Sequence, residues 1–204
     1  MSPRPYQLGQ RQAARDQTRS RILNATRALL VTPDGYSRFS IEMVARQASV
    51  ARMTVYHQFG SKSGLLEALC DSLALTGGME RAASAFSQPE PLVALNRYIE
   101  IFEHFWDADR LVMRRLRALA ILDPDFEQVV RARDEWRRKG IGVITRRIAE
   151  KQLPSLNDSI EETIDVFFTL TSFETFDTLA GTTRTLEDVV SIVQRLARGV
   201  IGLT

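Results

Sequence analysis

A chain of 204 residues, 44% apolar and 25% charged, carries enough apolar side chain to bury a sizeable core, in one domain or two small ones. It has no run of about 18 apolar residues, and its opening, MSPRPYQLGQRQAAR, is polar and basic, so neither a membrane span nor a secretory signal is expected and a cytoplasmic protein is. The net charge of +2 hides an asymmetry: residues 1–62 hold ten Lys/Arg against three Asp/Glu, a surplus of +7, and the remainder carries −5. A positive N-terminal third attracts a polyanion; an arginine-rich solvated surface is the alternative. The single cysteine, Cys70, cannot form an internal disulfide, and its place in LLEALCDSL reads as a packed thiol rather than a reactive one. No histidine or cysteine cluster has metal-ligand spacing, so neither a metal nor another cofactor is expected.

Between widely spaced prolines and glycines the apolar residues follow a helical period, which predicts an all-α protein of about nine helices. Residues 1–15 read as a mobile basic tail. A helix from about Asp16 to Val31 places Ile22, Ala25, Thr26, Leu29 and Leu30 on one face, and TPDGY breaks it. Ser40 can cap a short helix carrying Ile41, Val44, Ala45 and Ala48. A second short helix, about Ala51 to Gln58, follows a tight turn at Ala48 to Val50. Ser61 can cap the next, with Leu65, Leu66, Leu69 and Leu73, ending near Gly77-Gly78.

Beyond the linker QPEP, helices are predicted from Leu92 to about Ala108 and from Asp109 to about Leu122. Asp123-Pro124, an N-cap with proline at the first helical position, starts another that runs to about Gln152. Ser159 with Glu162 forms an expected capping box for a helix reaching Leu179, and Thr185 with Asp188 opens the last, from Leu186 to Leu203.

Two short helices joined by a tight turn and framed by longer ones have the layout of a helix-turn-helix, whose second helix enters the DNA major groove. In that second helix Val55, aided by Val50 and Phe59, can meet Ile41, Val44 and Ala45, which leaves Arg52 with Tyr56 and Met53 with His57 on the outer side. Arg52, Met53 and His57 are the candidate base contacts: arginine can donate two bonds to guanine O6 and N7, and methionine can touch a thymine methyl. Ser40, Thr54, Tyr56, Lys62 and Arg19 are the candidate phosphate contacts. For Arg15 and Arg19 a solvated charge is an equal alternative.

This region resembles the DNA-binding region of the TetR family of bacterial transcriptional regulators. The residues that carry the resemblance are Arg21-Ile22-Leu23, Ala25, Gly35-Tyr36, Val44-Ala45 and Ala48, then Thr54-Val55-Tyr56, Phe59, Lys62 and Leu65. It departs from the family at Ser49, where glycine is usual, and at Ala51, where serine or threonine is usual; both weaken the start of the second helix. The resemblance implies residues 16–62 as the DNA-binding domain and 63–204 as a helical-bundle domain for ligand binding and dimerisation. It also implies a homodimer on a near-palindromic double-stranded DNA operator, acting as a repressor released by a small hydrophobic ligand. A DNA-binding regulator or architectural protein with no such ligand is the alternative.

In the body, Phe102, Trp106, Met113, Trp136, Phe167 and Thr171, with His104 as a polar anchor, are the candidate ligand pocket; simple core packing is the competing reading of each. Phe168, Ser172, Phe176 and Leu179, with Val193, Leu196 and Val200, are the candidate dimer face, packing within the chain being the alternative. No enzyme is expected: Gly60-Ser61-Lys62-Ser63-Gly64 lacks the spaced glycine and leading strand of a phosphate loop, and neither His57 nor His104 has a nucleophile and acid beside it.

Overall fold

A computed structural model describes residues 4–151 and 160–203, the side chains of 4–9 excepted. The described residues form twelve α-helices and no strand. They are α1 (Arg4–Val31), α2 (Pro33–Ser37), α3 (Ile41–Gln47), α4 (Arg52–Phe59), α5 (Lys62–Thr76), α6 (Ala82–Phe86), α7 (Pro91–Asp107), α8 (Arg110–Leu122), α9 (Pro124–Lys151), α10 (Ile160–Leu170), α11 (Phe173–Ala180) and α12 (Leu186–Val200). A 3-10 turn, Met79–Arg81, precedes α6.

The all-α expectation is met, and the count of nine is corrected to twelve for three local reasons. Within the TPDGY break, Thr32 accepts a bond from the Gly35 amide at 3.2 Å, which caps the single turn of α2. The second addition is α6, five residues long and too short to show a period. The helix expected to reach Leu179 is cut at Thr171-Ser172, where extended Ser172 caps α11 by accepting from the Thr175 amide at 3.2 Å. The capping box expected at Ser159 lies outside the described residues. At the N-terminus α1 starts at Arg4 rather than Asp16, because the Gln, Ala and Arg of QLGQRQAAR favour helix and nothing there stops it.

The expected caps at Ser40, Ser61, Asp123 and Thr185 all form: each side-chain oxygen accepts the amide three residues on, at 3.3, 2.9, 3.2 and 3.1 Å. At Thr185 the bond is reciprocated by Asp188, completing a capping box.

The chain divides into two compact units. The first joins residues 1–71 with 114–127. Its core includes Ile22, Ala25, Leu29, Ile41, Val44, Ala45, Val55 and Leu65. Gly35 is required here, because a Cβ would lie 2.4 Å from the Leu29 carbonyl oxygen. The second unit joins 72–113 with 128–204. An aromatic ladder, Phe86, Tyr98, Phe102, Trp106 and Phe173, runs through it with ring centroids 4.8 to 5.9 Å apart. α12 lays Leu186, Val189, Val193 and Ala197 into that core.

Candidate nucleic-acid interface

α3 closes in a Schellman motif. The Val50 amide donates to the Ala45 carbonyl at 2.9 Å and the Ser49 amide to the Arg46 carbonyl at 3.1 Å. The residue between cap and return must be left-handed, and Ser49 takes that role at φ 53, the one non-glycine residue with positive φ among those described. α4 then begins behind Ala51, whose backbone is extended and whose side chain offers no cap. Both departures from the family pattern thus fall where the geometry uses the missing chemistry. Val55, fully buried, and Val50 and Phe59, partly so, hold α4 on α1 and α3.

The outer side of α4 presents Arg52, Met53 and His57 to solvent, with Met53 58% exposed. Thr54 and Tyr56 are half-buried, Tyr56 with its ring against the core. Arg52 is not a free cation. Its Nη1 lies 2.6 Å from Glu42 Oε1 on α3, and its Nη2 donates to the Tyr56 hydroxyl at 3.2 Å. Its guanidinium carbon stands 5.4 Å from the Tyr56 ring centre. The Tyr56 bond first, and the Glu42 charge second, raise the Arg52 pKa above its ordinary value.

The two cations among the candidate phosphate contacts, Lys62 and Arg19, are engaged within the first unit. Lys62 pairs with Asp123 at 3.3 Å and sits 5.9 Å over the Phe39 ring. Arg19 donates to the Gln58 carbonyl at 3.2 Å and stacks 4.5 Å over Phe59, so it binds the C-terminal turn of α4 where the helix dipole favours a cation. Ser40 spends its side-chain oxygen on capping α3. Glu42 was missed by sequence reasoning; the available signal was its rarity, as one of three acidic residues in 1–62.

In the second unit the candidate pocket residues separate. Phe102, Trp106, Met113, Phe167 and Thr171 are all buried, whereas Trp136 is 49% exposed. The inward stripe of α9 runs through Arg137, Ile141, Ile144 and Ile148, and Arg137 occupies the place expected of Trp136. Its Nη1 donates to Thr171 Oγ1 at 2.9 Å and to the Phe168 carbonyl, and its guanidinium carbon lies 3.9 Å over the Phe168 ring. The indole of Trp106 donates to the Thr171 carbonyl at 3.1 Å.

His104 is exposed on the wall of an open cleft of about 640 Å³ lined also by Glu100, Glu103, Asp107, Glu187 and Gln194. That cleft is acidic, and the expected aromatic lining is not part of it. The candidate dimer face divides likewise. Ser172, Phe176 and Val193 are buried in the chain's own core, which leaves them no surface to offer a second copy. Phe168 and Leu179 are half-buried, while Leu196 and Val200 are 45% and 40% exposed.

Comparison with known proteins bears on the first of these regions. Residues 22–69 match the family described as bacterial regulatory proteins, tetR family. Over 63 residues, 31% of this chain and 29% of the relative, the sequence is 40% identical to the HTH-type transcriptional regulator AlkX of Mycobacterium tuberculosis. Over 59 residues, 29% of this chain and 31% of the relative, it is 37% identical to the DNA-binding transcriptional repressor TetR of Mycobacteroides abscessus. The alignments therefore span about a third of either relative's length. Two solved structures share the fold over most of the chain. The fatty acid degradation regulator FadR from Bacillus halodurans has a TM-score of 0.64 at 16% identity, over 89% of this chain and 95% of that one. A TetR-like transcriptional regulator from Rhodococcus sp. RHA1 has a TM-score of 0.63 at 21% identity, over 93% and 97%.

Proposed function

We propose that this chain, which belongs to the TetR family of bacterial regulatory proteins, regulates transcription by seating α4 in the major groove of double-stranded DNA. The observation that carries the proposal is the placement of Arg52, Met53 and His57 together on the solvent side of a helix whose opposite side is locked down by Val55. Thr54, Tyr56 and Lys62 lie along the same segment and would contact phosphates, Lys62 by exchanging Asp123 for DNA.

A helix of eight residues offers few base contacts, so specific affinity calls for two copies spaced by about one helical turn, ~34–36 Å. We therefore read the active species as a homodimer on a near-palindromic operator, with residues 16–62 as its reading head and 63–204 as its body, in the cytoplasm. Among the described residues of α10 and α12, Val166, Leu196 and Val200 are exposed apolar side chains that such pairing would cover. Repression released by a small hydrophobic ligand is the regulatory reading. One observation favours the alternative of a regulator without ligand: Phe102, Trp106 and Phe167 are filled in against neighbours and turned away from solvent.

Selection of bound duplexes from a random DNA pool tests the proposal. An enriched inverted repeat with half-sites about one turn apart supports it, and a pool that never departs from its starting sequences counts against it.

A further inference from the structure

We infer that Glu42 sets the sequence specificity of α4 by competing with DNA for the Arg52 guanidinium. This rests on the DNA-binding reading and adds a residue to it. Both terminal nitrogens of Arg52 are already engaged, Nη1 by Glu42 Oε1 at 2.6 Å and Nη2 by the Tyr56 hydroxyl at 3.2 Å. These bonds use two of the five guanidinium N–H donors, one on each terminal nitrogen, so a bidentate contact with DNA through both nitrogens must share or redirect them. Guanine presents two acceptors in the plane and spacing that suit a guanidinium, so it can replace a carboxylate nearly in kind. A lone phosphate oxygen or a wrong base edge replaces less.

Exposure makes the competition reversible. Arg52 and Glu42 side chains are 57% and 56% exposed, where an ion pair is worth little and exchanges readily. The pair is strong enough to weigh against poor acceptors and too weak to exclude good ones. It also bridges α3 to the first residue of an α4 that lacks a side-chain cap, so it biases the guanidinium toward α3 before DNA arrives.

The test compares affinity for a duplex selected from a random pool with affinity for a scrambled duplex of the same length, at one salt concentration. In E42Q the ratio of the two should fall about two- to fivefold, the scale of one exposed ion pair, chiefly through tighter binding of the scrambled duplex. E42D keeps the charge but shortens its reach, and it should lower the ratio as well. In an Arg52→Ala background the Glu42 substitutions should no longer change the ratio. A ratio unmoved by E42Q, or moved equally with and without Arg52, overturns the inference, because Glu42 would then act only as a general negative charge. A wild-type protein that fails to distinguish the two duplexes removes the DNA-binding reading itself, and this inference with it.

Discussion

Glu103 sits half-buried on α7 with its carboxyl pushed up to about 7, by burial first and then by Asp107, Glu187 and Glu100. A carboxyl whose pKa is raised by folding favours the native state while it is protonated. That contribution is present below the ordinary value of 4.5 and is lost as pH rises from there through about 7. Glu103→Gln should therefore raise the melting temperature relative to wild type at pH 8 and not at pH 4.5. An equal shift at both values would assign the effect to packing. On the neighbouring face of α7 the logic is steric: Tyr98 donates to the Arg137 carbonyl at 2.9 Å. A Cβ on Gly140 would lie 2.6 Å from the Tyr98 oxygen, so glycine lets α9 approach. Burial raises the Tyr98 pKa, which keeps that hydroxyl a donor.

At the scale of the helix, α4 is built on two compromises, a left-handed Ser49 and an uncapped start at Ala51. Replacing Ser49 by glycine relieves the turn but adds freedom to the unfolded chain, so the gain is partly offset. Ala51→Ser has no such offset, and a hydroxyl accepting an amide of the first turn is worth about 0.5–2 kcal/mol. The expected outcome is a higher midpoint in chemical denaturation followed by a probe of the first unit; an unchanged or lower midpoint contradicts it. These weaknesses were legible in the sequence because turn and cap chemistry are local rules, as were the caps at Ser40, Asp123 and Thr185. What was not legible depends on three dimensions. Arg137 continues an isoleucine stripe that apolar spacing alone does not reveal, and Trp136, a pocket candidate by its aromatic ring, lies outside that stripe. Ser172 breaks a helix inside an otherwise unbroken period. The Glu42–Arg52 pair joins residues ten positions apart across a turn, where no helical spacing relates them.

For the whole molecule, charge and architecture point the same way. Among the described residues no helix is long and apolar enough to cross a membrane. The +7 surplus of residues 1–62 lies on the segment that carries the helix-turn-helix, and the −5 remainder lines features such as the cleft of Glu100, Glu103, Asp107 and Glu187. A basic N-terminal segment in a chain whose remainder is net acidic draws that segment, rather than the rest, toward a polyanion. With α4 seated in the major groove as proposed, sequence would be read by the side chains that reach base edges and by DNA shape, since phosphate contacts carry no sequence information directly.

The central claim is that α4 reads DNA through Arg52. Its most direct test is the affinity of Arg52→Ala for the duplex the wild type selects, measured against single base-pair variants of that duplex. Loss of a bidentate guanine contact should cost about 1–3 kcal/mol and relax the preference at one position in each half-site. Wild-type affinity with an undiminished preference at every position would contradict it.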